Sequence, residues 1–171
     1  IELIQGNYQS GLDNYEFRFK KKNPNITHIK TKLKRINNEK LKKGDKLLVV
    51  SEQGLGDTLQ YMRYIPYLRN IGIDVTFCAQ IKLHSLIKAS AIDPKPITPE
   101  QAKIVSEGKW IPLMSLPRYL NVRPDNPIIS KQYIFSTDEL KKKWKEILSK
   151  EKRPIIGINW QGNPNAEKNT L

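Results

Sequence analysis

Tyr8, Leu12, Tyr15 and Phe19 recur at steps of four, three and four, and so line one stripe of a helix with a 3.6-residue period. The apolar trio Ile1, Leu3 and Ile4 precedes it and stops at Gly6-Asn7, a helix-stop and turn signal. Together they read as a helix tail, a turn and a second helix, whose stripe needs further helices to be buried. Lys20 to Asp45 is polar and lysine-rich, and is predicted to be an extended connector turning at Lys43-Gly44-Asp45. Leu47-Leu48-Val49-Val50 then has the continuous apolar character of a parallel strand covered on both faces. A glycine-punctuated loop, 52–57, leads into a helix over 58–70 that Pro66 should kink or break a turn early, with Gly72 marking its end. Val75 to Ala79 reads as a second strand and Leu83 to Ala89 as a second helix, which completes a βαβ unit.

Beyond it, Ile92 to Pro99 carries three prolines and reads as a strand edge plus loop. Trp110 to Met114 is a further strand candidate, and 116–120 a turn entering a short helix. Ser136 to Lys150 is predicted to be a helix capped by Ser136, with Glu139 in the box position and Leu140, Trp144, Ile147 and Leu148 as its apolar face. Pro154 releases the chain into Ile155 to Trp160, a buried-strand pattern followed by the loop Gly162-Asn163-Pro164. The fold class is therefore α/β. The organisation read from these signals is a helical segment over 1–22, a basic connector over 23–45, a sheet domain over 46–153 and the start of a second domain over 154–171.

Composition narrows the picture. At 171 residues, 38% of them apolar and 27% charged, the chain has the size and make-up of one globular domain. No run approaches the roughly 18 apolar residues of a membrane span, and residues 1–6 lack the features of a signal peptide. A lone cysteine, Cys78, excludes an internal disulfide and a Cys-rich metal site, and fits the reducing cytoplasm. The net charge of +13 is concentrated between Arg18 and Lys46 and between Lys141 and Arg153. Lysine outnumbers arginine there and aromatics do not alternate with it, so a solvated face is favoured over a nucleic-acid platform. His28 and His84 have no metal-ligand partner at suitable spacing, and no metal is expected. Trp110, Trp144 and Trp160 read as core or interface fillers, Trp160 abutting the Gly162 loop.

The candidate chemistry lies in Ser51-Glu52-Gln53-Gly54-Leu55-Gly56-Asp57-Thr58. Two glycines at a strand-to-helix turn permit positive φ and close approach of a ligand to the backbone. A helix beginning near Asp57 would offer free N–H groups to a phosphate or a developing oxyanion. The third glycine and the ribose-binding acid of a dinucleotide site are missing, and so is the Gly-Lys-Ser/Thr of a P-loop. Asp57-Thr58-Leu59-Gln60 is itself a capping-box pattern with Asp57 at the N-cap, so this carboxylate has a structural reading beside a catalytic one.

The stretch Lys46 to Ser90 resembles the start of the heptosyltransferase-like glycosyltransferases, and more closely the bacterial tetratricopeptide-repeat proteins that end in such a domain. Gln53, Leu55, Gly56, Asp57 and Pro66 carry the likeness. Gly11 to Phe19 is similar to the last repeat, and Gly157 to Pro164 to the first strand and loop of the nucleotide-binding domain. The resemblance implies the N-terminal half of a GT-B fold: a Rossmann-like parallel sheet with flanking helices that binds the acceptor, facing a second domain that binds a nucleotide-sugar. It implies Asp57 as a general base working without a metal or cofactor, with Gln53, Gly54, Leu55, Gly56 and Thr58 as the acceptor or phosphate loop. Trp160, Gly162, Asn163 and Lys168 would lie near the donor, and 1–171 alone, ending before most of that domain, would be inactive. A saccharide or protein acceptor is implied, with protein partners on the repeats. The alternative is a non-catalytic scaffold associated with such repeats.

Overall fold

The computed structural model describes residues 1–20, 27–129 and 131–158. They divide between two compact units, Ile1–Ser136 and Thr137–Leu171. The first unit is built on a four-stranded, wholly parallel sheet: β1 (Lys34–Arg35), β2 (Lys46–Val50), β3 (Asp74–Cys78) and β4 (Lys109–Pro112), in the order β1-β4-β2-β3. Helices α1 (Tyr8–Tyr15), α2 (Leu55–Tyr61), α3 (Tyr64–Asn70), α4 (His84–Ala89), α5 (Pro99–Ala102) and α6 (Leu116–Tyr119) belong to the same unit. This is an α/β fold of the Rossmann-like kind, a parallel sheet with flanking helices.

The apolar strands are explained by cover on both faces. Leu47, Val49, Val75, Phe77 and Ile111 form one core with Met62, Ile65, Leu68 and Ile87, while Leu48, Val50 and Cys78 form another with Ile29 and Ala102. With period-two side chains, only a strand buried on both sides needs four apolar residues in succession. Burying each large side chain stabilises by roughly 1.5–3 kcal/mol.

The helix read over 58–70 is broken about a turn ahead of Pro66, as the proline predicts. α2 ends at Tyr61 and α3 starts at Tyr64, so Pro66 falls in the first turn of α3, where a missing N–H costs no intrahelical bond. Gly72, at φ 87°, then closes α3.

Four readings are corrected. The lysine-rich stretch is not all connector: Lys34 and Arg35 form the edge strand β1, whose two polar residues show no periodicity. Residues 1–6 form hydrogen-bonded turns rather than a helix tail, and Ile1 and Ile4 are almost fully exposed. The helix of the second unit, α7 (Asp138–Leu148), is capped by Thr137, whose hydroxyl accepts from Leu140 N–H at 3.2 Å, and not by Ser136. Its face Leu140, Trp144, Ile147 and Leu148 is exposed. Finally, 155–158 is not a strand. A strand is defined by its ladder, this run pairs with no strand among the described residues, and Ile155, Ile156 and Ile158 are exposed.

Candidate functional site

Ligands of open parallel sheets bind outside the carboxyl ends of the strands. At that edge β2 and β4 are neighbours, followed by the loop 51–54 and the 3-10 turn Leu113–Ser115. Glu52, fully buried, accepts from Arg18 Nε and Nη2, both at 3.0 Å, and from the Met114 N–H at 2.9 Å. One carboxylate therefore ties the helical segment to both the loop and the turn. Arg18 also donates through Nη1 to Glu16 at 2.8 Å and to the Tyr15 carbonyl at 3.0 Å, and through Nη2 to the Ser115 hydroxyl at 2.8 Å. Its guanidinium stacks over the rings of Tyr15 and Phe19. Ser115 in turn donates to Glu16 at 2.8 Å and accepts from Arg35, which pairs with Glu16.

Two arginines thus balance two glutamates, the condition under which charges tolerate burial. Burial alone would raise the Glu16 carboxyl, but hydrogen bonds from Ser115 and Arg18 hold it below its ordinary value. Burial would likewise lower Arg18, and Glu52 and Glu16 together more than reverse it, so that its pKa is raised.

The loop between β2 and α2 starts tightly held. His28 accepts from the Ser51 hydroxyl at Nδ1 (2.8 Å) and donates from Nε2 to the Gln53 carbonyl (3.1 Å), a tautomer fixed because a carbonyl only accepts. Gln53 has φ 54°, left-handed backbone that disfavours a side chain, and its amide donates to the Tyr15 hydroxyl at 3.0 Å.

From Gly54 the loop is bare. Neither Gly54 nor Gly56 has positive φ, contrary to the reading of both; the left-handed residue is Gln53. A Cβ on Gly56 would meet nothing within 4 Å, so neither conformation nor packing demands that glycine. The helix also begins earlier than read. Gly54 is the N-cap and Asp57 the third residue of α2, where its Oδ2 accepts the Gly54 N–H at 2.9 Å. Among the described residues its Oδ1 takes no hydrogen bond, and the side chain is half-buried. Leu55 and Gln53 are exposed beside it. Thr58 is buried and turned away, donating to Gln80 at 2.8 Å, while the Gln80 amide reaches the Gly54 carbonyl at 3.3 Å. Tyr61 follows Asp57 by one turn. Burial first, then the neighbouring Tyr15 and Asp57 charges, push its phenol up.

Gln53, Gly54, Leu55, Gly56 and Asp57 are therefore together on one rim, and Thr58 is behind it. Trp160, Gly162, Asn163 and Lys168 lie outside the described residues. Sequence reasoning gave no site role to Tyr15, Arg18, His28, Gln80 or Ser115, and named Glu52 only as part of the loop motif. A lone acid at a strand end was the only signal for Glu52, and nothing in the spacing tied it to Arg18.

Two adjoining cavities of about 610 and 640 Å³ lie elsewhere, around Asp13, Asn37, Asn38 and Arg118, and no residue of 53–57 lines either. Among the described residues no three His, Cys, Asp or Glu side chains cluster as metal ligands, and no helix is long and apolar enough to cross a membrane. The chain matches no protein-family model, no curated protein and no solved structure.

Proposed function

We propose that the chain is the acceptor-binding half of a GT-B glycosyltransferase, preceded by the end of a tetratricopeptide-like repeat and working in the cytoplasm. The acceptor hydroxyl attacks the anomeric carbon of a nucleotide-sugar, Asp57 Oδ1 takes its proton, and the nucleoside diphosphate leaves with the electrons of the broken C–O bond. The donor is held by a second domain beginning near Pro154, through Trp160, Gly162, Asn163 and Lys168, and no metal is required.

One observation carries this reading beyond the motif. Asp57 presents an oxygen that takes no hydrogen bond among the described residues, on a glycine-bare rim at the carboxyl end of a parallel sheet. The Asp57 carboxylate already serves the first turn of α2, so the rim suits a hydroxyl better than a phosphate. The test is turnover of a nucleotide-sugar panel by the protein carrying both domains. Asp57→Asn keeps an acceptor for the Gly54 N–H but removes the base, and should lower turnover by about 10²–10⁴-fold while donor affinity survives. No binding and no turnover in the wild type would leave the scaffold as the better reading.

A further inference from the structure

We propose that Tyr15 and His28, from the segments ahead of the sheet, are positioning residues for Asp57, so that the helical segment completes the site instead of merely preceding it. The inference rests on Asp57 being the base.

One peptide unit links His28 to Asp57. The Gln53 carbonyl and the Gly54 N–H belong to the same plane. On one side that plane accepts from His28 Nε2, and on the other it donates to Asp57 Oδ2. Rotating it would release Asp57. The plane follows a residue at φ 54°, a left-handed conformation that a side chain disfavours and that persists only where its surroundings over-determine it. Those surroundings come from outside the βαβ unit. The Tyr15 hydroxyl takes the Gln53 amide, His28 takes the carbonyl, and Arg18 pins Glu52, the residue before, in a buried fork. Tyr15 is itself fixed: its ring lies 4.4 Å from the Arg18 guanidinium and its carbonyl accepts from Arg18 Nη1.

Nothing in the sheet's packing requires this. The β2 residues Leu47 to Val50 are buried among the strands and helices already described, and the ties to Gln53 act only on the rim. They restrict the orientation of one carboxylate, which is how a group away from the chemistry changes a rate through geometry.

Tyr15→Phe is the discriminating variant, because it removes the hydroxyl and keeps the ring stacked on Arg18. In the protein carrying both domains it should lower kcat about tenfold with donor KM unchanged, and make no further difference in an Asp57→Asn background, as expected of residues acting as a unit. His28→Ala should behave alike, and His28→Gln, which can still donate to the Gln53 carbonyl, should recover part of the loss. Amide exchange gives a readout independent of turnover. In Tyr15→Phe, exchange of the Gly54 amide, which donates to Asp57, should quicken while β2 and β3 stay as protected as in the wild type. Wild-type kcat in Tyr15→Phe overturns the inference and leaves the glycosyltransferase reading intact. A wild type without turnover overturns that reading and, with it, the inference.

Discussion

The two halves of the loop between β2 and α2 are built on opposite lines. In Ser51 to Gln53 the side chains are tied down: Ser51 to His28, Glu52 to Arg18 and Met114, Gln53 to Tyr15. In Gly54 to Asp57 two of four residues have no side chain, Leu55 is exposed, and the carboxylate of Asp57 keeps one oxygen free of protein partners among the described residues. A loop that only connected strand to helix would gain nothing from burying the Arg18–Glu52 pair, with Glu16 and Arg35 half-buried around it, on one side of Gln53 and leaving the other side bare. The contrast fits a rim that must be both rigid and accessible, since an unsupported loop would satisfy only the second requirement.

The largest effect expected is on the held half. Glu52→Ala leaves the Arg18 guanidinium buried without its partner and should cost about 3–5 kcal/mol, read as a fall in the urea midpoint. Replacing both by apolar residues of similar volume, Arg18→Met with Glu52→Leu, should recover much of that loss, because a buried pair contributes little net stability over a well-packed core. If the single variant unfolds at the wild-type midpoint, the network is not the rigid half of the comparison.

What the sequence made legible follows from how each feature is encoded. β2, β3 and β4 announce themselves because strands covered on both faces need local apolar runs, and Pro66 and Gly72 mark α3 through backbone chemistry that acts on the spot. β1 is silent because two polar residues at a sheet edge carry no pattern. Ile155 to Ile158 has the composition of a strand, but composition does not supply a neighbour. At the site, the rim was readable as a glycine-rich turn ending in an acid. The grip on it was not, since Arg18 and Glu52 meet across 34 positions with no period to connect them. Asp57 shows the intermediate case. A capping role was legible, but its position within the box depends on where the helix starts, and Gly54 starts it three residues earlier.

A smaller effect should appear on acidification. Glu16 has its pKa depressed by Ser115 and Arg18 against the opposing effect of burial. A carboxyl depressed in the folded state stabilises above its ordinary value of 4.5 and loses that contribution as the pH falls through the depressed value. Stability should therefore decline below about pH 4.5, and Glu16→Gln should flatten that decline while lowering stability at neutral pH. A variant with the wild-type acid profile would take Glu16 out of the held half.

The smallest change should fall on the bare half and carry the opposite sign. Gly56 is the second residue of α2, with negative φ and open space where a Cβ would stand. Alanine there removes backbone freedom from the unfolded chain and creates no clash, so Gly56→Ala should stabilise by about 0.5 kcal/mol, seen as a small rise in Tm. The same methyl would stand on the rim beside Asp57, where, if the chain is the proposed glycosyltransferase half, it would obstruct an incoming acceptor and raise the acceptor KM with little effect on the donor's. A fall in Tm would mean that Gly56 serves the fold, and the bareness of the rim would lose its functional meaning. A rise in Tm together with a weaker acceptor interaction would mean that the glycine leaves room for a ligand, at the expense of stability an alanine would have supplied.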